Sequence, residues 1–322
     1  MHGAGPLAVF CVLAACLLTV AQARDSLTVD RTLRLRADGS FKIVQFADIH
    51  FGEGEDVWWG PVQDTNSTRL MRAVLQYATT IILPFQNGGY RWAAVFGNHD
   101  DLADGSGGRR SDLMRFDTSF PLSLSHFGPP SLHGVSNYYL PILPHAASSA
   151  VDAPVSLLYL FDTGGGRLPE IVDKAQVDWY RNLSASLRQQ QDPTKRPVPA
   201  LAFFHIPLEH YDAIFSPTDK ECFGEADDDV TPVDTSNGLF EAFVEMGDVR
   251  ATFVGHDHGN DWCCQQKGVH LCFGRHSGYG GYGTWARGAR VIELRQFSQN
   301  EMLAKTWVRM EDGSIRDGGQ LF

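Results

Sequence analysis

The sequence predicts a single-domain α/β protein. Short apolar runs of strand length recur along the chain and end at glycine or in a polar residue, and segments with helical spacing lie between them. No internal repeat or linker divides the 322 residues, a length that suits one large α/β domain or two ordinary ones. An apolar content of 43% with 20% charged residues excludes a disordered chain.

The predicted strands are apolar or alternating segments bounded by turn residues. In chain order they lie at 41–47, 93–96, 137–143, 155–161, 200–204, 251–254, 289–297 and 302–310. Helical spacing of apolar residues predicts two helices, at 64–78 and 174–187. Asp64 or Thr65 is the expected N-cap of the first of these helices.

The remaining long segments are predicted loops. Residues 101–134 are rich in Gly, Ser and Pro and predict a long excursion from the sheet. Residues 216–238 predict an acidic surface loop, in which the run Asp227-Asp228-Asp229 is solvated or makes a weak cation contact. Gly164-Gly165-Gly166 is a turn or a phosphate cradle, although the Lys-Ser/Thr pair of a P-loop does not follow it. The glycines from Gly278 to Gly283 form tight turns or line a substrate groove.

The N-terminus predicts a secretory signal. The first 23 residues contain no Lys, Arg, Asp or Glu, and an apolar run at 7–20 precedes the small residues Ala21-Gln22-Ala23. That run is short for a membrane span, and no other stretch is long and apolar enough to cross a bilayer. We therefore expect a signal peptide at 1–23, a mature domain at 24–322, and a secreted, extracellular or vacuolar protein.

The cysteines beyond the signal predict disulfides. They are Cys222, Cys263, Cys264 and Cys272, an even number that allows three connectivities. Cys263 and Cys264 are adjacent, so each is expected to pair elsewhere, one of them with Cys272 across a short hairpin. A zinc cluster is the alternative, although the spacing differs from that of a two-by-two zinc site. The sequons at Asn66 and Asn182 are compatible with glycosylation of a secreted chain.

The overall charge argues against one class of partner. The net charge is −11, whereas a protein that binds nucleic acid needs a basic face for the phosphates. No nucleic-acid partner is expected.

Four predicted strands end in side chains that bind metals. A single histidine near a strand end is usually structural, but four such ends in one chain indicate a metal site. Imidazole, carboxylate and amide oxygen together suit ions such as Fe, Zn and Mn. The residues are Asp48 and His50, Asn98 with His99, His205, and His256 with His258.

These blocks resemble the calcineurin-like metallophosphoesterases, and in particular the plant purple acid phosphatase-like group often labelled "probable inactive purple acid phosphatase". The similar segments are Asp48-x-His50, Gly97-Asn98-His99-Asp100, His205 and Gly255-His256-Asp257-His258, together with residues 46–52, 59–61, 260–264 and 274–283. The likeness covers nearly the whole mature chain. It implies a β-sandwich flanked by helices, two metal ions (Fe with Zn or Mn), and hydrolysis of a phosphate-ester substrate by a metal-bound hydroxide.

The resemblance also assigns roles to individual residues. The first metal would be held by Asp48, His50 and His258, and the second by Asn98, His205 and His256. His99 would stabilise the phosphoryl group or protonate the leaving oxygen, with Asp100 helping to orient it. Such a pair of ions can clamp a phosphate, lower the pKa of a bound water and stabilise the attacking and leaving oxygens.

One block of the family pattern is absent. The family has a strand that ends in Gly-Asp between the first two blocks, and its aspartate bridges both metals, but no Gly-Asp occurs between His50 and Gly97. Gly247-Asp248 comes too late in the chain to replace it. We therefore expect a missing core strand, which leaves its neighbours' backbone groups unpaired or rearranges their pairing. A non-catalytic homologue with one metal, or an exon-skipped isoform, are the alternatives to an active enzyme.

Overall fold

The computed structural model describes residues 31–54, 56–76, 89–101, 108–148, 153–190, 196–298 and 301–322. The predicted signal peptide lies outside these residues. Thr32–Phe322 form one compact unit.

The described residues form two β-sheets. The strands are β1 (Leu33–Arg34), β2 (Ser40–Gln45), β3 (Tyr138–Leu143), β4 (Ser156–Leu160), β5 (Ala200–Phe203), β6 (Cys222–Phe223), β7 (Val249–Val254), β8 (Cys263–Gln266), β9 (Val269–Phe273), β10 (Gly288–Ser298), β11 (Glu301–Met310) and β12 (Ile315–Gln320). The first sheet has eight strands in the order β1-β3-β4-β5-β7-β9-β8-β6, and the second has four in the order β12-β11-β10-β2.

The middle of the first sheet is parallel and buried. β4, β5, β7 and β9 pair in parallel, and every residue of β4 and β9 is buried. Strands buried on both faces need continuous apolar sequence, which explains why these segments lack polar alternation. Because the strands are parallel, the loops that follow β5 and β7 emerge at the same edge of the sheet.

The two faces of the first sheet bury different partners. Adjacent residues of a strand point to opposite faces: Leu158 belongs to the core between the two sheets, which also contains Ile292 of the second sheet. Tyr159 belongs to the core against the helices, together with Tyr180 and Phe243. The fold is therefore the predicted β-sandwich flanked by helices.

One of the four helices agrees with the sequence prediction, one begins earlier than predicted, and two were not predicted. They are α1 (Gly60–Gln76), α2 (Arg110–Thr118), α3 (Lys174–Gln189) and α4 (Leu239–Met246). A capping box between Asp173 and Gln176 begins α3. The expected N-cap at Asp64 or Thr65 is wrong: α1 begins four residues earlier, and Pro61 in its first turn has no amide to leave unpaired. The predicted excursion at 101–134 contains α2, whose Met114 is buried between the sheets.

The predicted strand at 93–96 is not a strand. Residues 93–97 lie outside any ladder, and only Trp92 makes a bridge, to Ser123. Side chains satisfy this backbone instead: the Ala94 amide donates to Ser125 Oγ (3.0 Å) and its carbonyl accepts from Tyr138 (2.7 Å). Strand β2 lies at an edge of the second sheet. Between these two segments the sequence contains no Gly-Asp.

The four cysteines form two disulfides, Cys222–Cys264 and Cys263–Cys272. The adjacent cysteines therefore pair elsewhere, one of them with Cys272 across the β8–β9 hairpin, and the zinc alternative is wrong. The Cα–Cα distance is 4.1 Å in both pairs, because each joins residues directly opposite on antiparallel strands. Among the helices within the described ranges, none is both long and apolar enough to span a bilayer.

Removing the Cys222–Cys264 disulfide should destabilise the fold. This bond closes a loop of sequence separation 42, so we expect Cys222→Ser with Cys264→Ser to lower the free energy of unfolding by about 2–5 kcal/mol. Denaturant unfolding of the oxidised chain measures this change. A double variant as stable as the wild type would contradict a structural role for the bond.

Candidate metal centre

The predicted ligands meet where the strands of the first sheet end. His205 follows β5, and His256 and His258 follow β7, its parallel neighbour. The Gly255 amide donates to the His205 carbonyl (3.1 Å), which holds the two loops side by side. This edge of a parallel sheet is where ligands bind in open α/β folds.

Strand β2 brings Asp48 to the same edge from the second sheet. Gln45 Nε2 donates to the Val254 carbonyl (3.0 Å), and Ala47 forms a parallel bridge with His276. The Asp48 carboxylate then accepts the His256 amide (2.9 Å). The two sheets are thus joined at the point where their polar residues lie.

The first ligand set converges on one position. Ligand atoms of Asp48, His50 and His258 all lie within 4.8 Å of one another. The Nε2 atoms of His50 and His258 are 3.2 Å apart, and Asp48 Oδ1 is 3.8 Å from His258 Nε2. Two ligand atoms held about 2.1 Å from one ion are roughly 3.0–3.4 Å apart, so the two histidines are spaced as ligands of a single ion. We call this set the first subsite.

Hydrogen bonds orient both histidines toward that position. His258 Nδ1 lies 2.9 Å from the Tyr282 carbonyl, which can only accept, so Nδ1 carries the proton. His50 Nδ1 lies 2.6 Å from the Glu53 carboxylate and donates to it in the same way. In the neutral rings both Nε2 atoms therefore present lone pairs, which repel each other at 3.2 Å. A cation between them removes this repulsion.

Buried polar atoms without partners support the same conclusion. Asp48 Oδ2 and both ring nitrogens of His276 have no hydrogen-bond partner among the described residues. His276 is fully buried and lies against His258, with ring centroids 3.9 Å apart and ring planes tilted by 39°. Unpaired buried polar groups of this kind are rare and call for an ion or water. The residues present therefore fit a metal ion.

The electrostatics and backbone also mark this cluster as functional. Burial would raise the pKa of Asp48, but the imidazoles of His205, His258 and His276 outweigh it and lower that pKa. Burial lowers the pKa of His258. Asp48, His50 and His256 have positive φ values of 53°, 49° and 78°. Non-glycine residues adopt this conformation at a cost, and such strain clusters at functional sites.

The second ligand set is looser. Asn98 Oδ1 lies 2.9 Å from His205 Nε2, and the ring centroids of His205 and His256 are 5.3 Å apart. The 2.9 Å spacing fits either a hydrogen bond or two ligands of one ion. His205 Nδ1 faces Asp48 Oδ1 at 3.9 Å, and burial lowers the pKa of His205 to about 3. Asn98, His205 and His256 form the second subsite, and all three are neutral donors.

A buried arginine supports the loop that carries Asn98 and His99. Arg110 forms ion pairs with Asp101 (2.8 Å) and Asp162, and it donates to the carbonyls of Gly97 (2.8 Å) and Gly165 (3.1 Å). Gly164–Gly166 is therefore a turn, the first of the two interpretations of this sequence. Its carbonyl groups accept hydrogen bonds from Arg110. A side chain on Gly165 would collide with Asn98, so this turn packs directly against a second-subsite residue.

The predicted catalytic residues His99 and Asp100 are both exposed. The ring centroid of His99 lies 5.0 Å from that of His50. Partial desolvation of the Asp100 carboxyl raises its pKa, and the carboxyl accepts the Gly97 amide (2.6 Å). Asp100 therefore shapes the turn on which His99 stands.

A cavity of about 250 Å³ opens over both subsites. Sequence analysis identified six of its lining residues and missed three: Thr231, Asp257 and Tyr282. Asp228 was predicted to be solvated or to make a weak cation contact. Its carboxylate instead accepts hydrogen bonds from the Tyr282 hydroxyl and from the Gly259 amide. Sequence analysis also missed Glu53 as a partner of His50, although a carboxylate three residues after a histidine is a local pattern that predicts such a contact.

Three further aspartates lie outside the two subsites. Asp248 accepts from Tyr159 (2.9 Å) and Ser184 (2.7 Å) in the helix-side core. Asp64 accepts the Gly52 amide (3.2 Å), and Asp101 is paired with Arg110. Asp48 is the one aspartate of the first subsite, and it faces His205 of the second.

The fold and site define a class: a β-sandwich flanked by helices, with metal-binding side chains at one sheet edge, is the architecture expected of a metallophosphoesterase. The chain is 32% identical to "Probable inactive purple acid phosphatase 28" of Arabidopsis thaliana, over 87% of this chain and 83% of the relative. It belongs to that family, the purple acid phosphatase-like metallophosphoesterases.

Other proteins match over similar lengths. "Probable inactive purple acid phosphatase 14" of Arabidopsis thaliana is 30% identical over 88% of this chain and 83% of the relative. "Phosphatase DCR2" of Saccharomyces cerevisiae is 28% identical over 87% of this chain and 55% of the relative. A solved dimetal phosphatase from Danio rerio matches at a TM-score of 0.33 and 11% identity, over 57% of this chain and 60% of that one. No protein-family model matches.

Arg110→Met should destabilise the chain strongly. The substitution leaves Asp101 and Asp162 charged and buried, at 3% and 0% exposure, and removing one partner of a buried ion pair costs about 3–5 kcal/mol. The measurement is the free energy of unfolding in denaturant. Arg109→Met is the matched control, because Arg109 is exposed, and it should change stability by no more than about 0.5 kcal/mol. Equal stability of the two variants would contradict the supporting role of Arg110.

Proposed function

We propose that this chain is a secreted, metal-dependent phosphoric ester hydrolase. Asp48, His50 and His258 would hold the first ion, and the second would lie with Asn98, His205 and His256. The predicted pair is Fe with Zn or Mn, since imidazole and carboxylate donors suit these ions. The substrate is a phosphate ester small enough at its reacting end for a cavity of about 250 Å³.

One observation carries this proposal. The Nε2 atoms of His50 and His258 face each other at 3.2 Å, and the hydrogen bonds at Nδ1 leave a lone pair on each. A structural histidine pair would share a proton or donate to other groups, whereas this arrangement is satisfied by a cation. Family membership makes phosphoester hydrolysis the reaction class that such a centre would serve.

The residues around the cavity would divide the work. Bound ions would supply Lewis-acid stabilisation of phosphate charge and activation of water. His99 stands exposed beside His50, where its imidazole would donate a proton to the leaving oxygen, a contribution of about 10²–10⁴-fold in rate. Arg110 and Asp100 would keep His99 in place through the Gly97 turn.

The two disulfides support the secreted location. Disulfides persist in oxidising compartments and are rare in the cytosol. Cys222–Cys264 and Cys263–Cys272 therefore agree with the signal peptide at 1–23.

A second candidate is a non-catalytic protein that binds a single ion. The observation that favours it is the donor set of the second subsite, in which Asn98, His205 and His256 carry no charge to balance a divalent ion. The plant relatives are also named probable inactive. The number of ions per chain separates this candidate from the enzyme.

The test measures metal content and turnover on the same preparations. The chain without residues 1–23 is loaded with Zn²⁺ or Fe²⁺, and we expect two ions per chain and hydrolysis of an aryl phosphate. His99→Ala should keep both ions and lose about 10²–10⁴-fold in kcat. His145→Ala, a histidine outside the cavity, is the control and should retain full activity. One ion per chain without turnover would support the second candidate and overturn the enzyme.

A further inference from the structure

The glycine-rich segment 278–283 lies directly against the two histidines of the first subsite. A Cβ on Gly281 would collide with Cε1 of His258 and would lie 3.0 Å from Nε2 of His50. A Cβ on Gly280 would lie 2.6 Å from Cβ of His50. The absence of side chains at these positions lets the backbone cover both rings. We call residues 278–283 the glycine loop.

Tyr282 holds His258 at three points. Its ring stacks on the His258 ring with centroids 4.0 Å apart and planes 14° from parallel. Its carbonyl accepts from His258 Nδ1 (2.9 Å), and its hydroxyl accepts the His258 amide (3.0 Å). The same hydroxyl donates to Asp228, which anchors Tyr282 to the acidic loop. His276 also contacts the His258 ring, with centroids 3.9 Å apart.

Glu53 ties His50 to the same loop. One carboxylate oxygen accepts from His50 Nδ1 at 2.6 Å, and the other accepts the Gly281 amide at 2.8 Å. Both first-subsite histidines therefore depend on the glycine loop for their orientation. A hydrogen bond at the far ring nitrogen determines which nitrogen is free to bind a metal.

We propose that the glycine loop, with Glu53 and Tyr282 as positioning residues, is a clamp that holds His50 and His258 in the Nε2-coordinating tautomer. The clamp makes the first subsite the one that binds a divalent ion first and most tightly. This inference rests on the proposed metal centre and adds to it the residues that prepare the site before the ion arrives.

The second subsite differs from the first in the contacts that its ligands make before an ion binds. Asn98 and His205 pair with each other (2.9 Å), so an ion has to replace a hydrogen bond there. In the first subsite the contacts at Nδ1 leave the facing Nε2 atoms as acceptors, and Asp48 supplies a charge. A preorganised, charged site binds an ion at lower cost than one that must rearrange.

The test is a titration of the apo chain with Co²⁺, followed by its visible absorption spectrum. The intensity and position of the Co²⁺ bands report the ligands and their geometry independently of any activity. We expect one tight Co²⁺ in the wild type before a weaker second. Glu53→Gln removes the charge that requires His50 Nδ1 to donate, and Tyr282→Phe removes the hydroxyl that anchors the loop. Each should weaken the tight site by about 10–100-fold and change its spectrum.

Tyr279→Phe is the matched control within the same loop. The Tyr279 hydroxyl donates to Glu311 and accepts from Arg69 (3.3 Å), neither of which is a ligand, so its loss should leave the Co²⁺ affinity and spectrum unchanged. Circular dichroism checks that every variant is folded. Glu53→Asp tests for partial rescue of the spectrum, which a purely structural role would not produce.

The outcomes separate the clamp from the metal centre. Tight Co²⁺ binding that is unchanged in Glu53→Gln and Tyr282→Phe would overturn the clamp and leave the metal centre intact. Failure of the wild type to bind Co²⁺ would overturn both. Equal weakening in Tyr279→Phe would also contradict the clamp, because the effect would then be a general loss of loop stability.

Discussion

The structure of this site depends on two imidazole nitrogens that face each other, the Nε2 atoms of His50 and His258. Each ring of His50 and His258 gives its Nδ1 proton to an acceptor on the outside, a carboxylate and a carbonyl. The two lone pairs that remain are 3.2 Å apart in a buried position, where repulsion between them is weakly screened. The surrounding residues must hold the two rings in place against this repulsion between the lone pairs. The positive φ values of Asp48 and His50 add backbone strain to the free-energy cost of this arrangement.

Parallel pairing of β5 and β7 explains how distant segments meet at this point. Because both strands run in the same direction, their following residues, His205 and His256, emerge together. The rule that polar residues at strand ends share one sheet edge is therefore enough to predict His205, His256 and His258 as neighbours. Asp48 follows a strand of the other sheet, and its position depends on the contact between Gln45 and Val254. The spacing of residues in the sequence contains no signal for that contact.

The residues that sequence reasoning missed share a physical property: they act on the ligands from the outside. Glu53 contacts His50 within one loop, so a carboxylate three residues away was a readable local pattern. Tyr282 reaches His258 across 24 positions, and Asp228 reaches Tyr282 across 54. Such pairs depend on how loops pack after the strands have formed. Periodicity and capping patterns describe local structure only, and so they cannot identify them.

The incorrectly predicted strand at 93–96 shows that strand-like composition alone does not make a strand. Residues 93–96 have the composition of a buried strand, but a strand exists only where another lies beside it. Here Ser125 and Tyr138 satisfy the backbone of Ala94, and Arg110 holds the turn at Gly97 that follows. Asn98 and His99 therefore owe their position to side chains rather than to a ladder. The second subsite, which contains Asn98, is accordingly the looser of the two.

The most direct test of the central claim is the location of an ion by anomalous diffraction. Crystals of the full mature chain soaked in Zn²⁺ would be measured above and below the zinc absorption edge. The account predicts an anomalous peak within about 2.0–2.2 Å of Nε2 of both His50 and His258, with Asp48 as the carboxylate ligand. An anomalous map without a peak between these two nitrogens, at a Zn²⁺ concentration that saturates binding in solution, would contradict it.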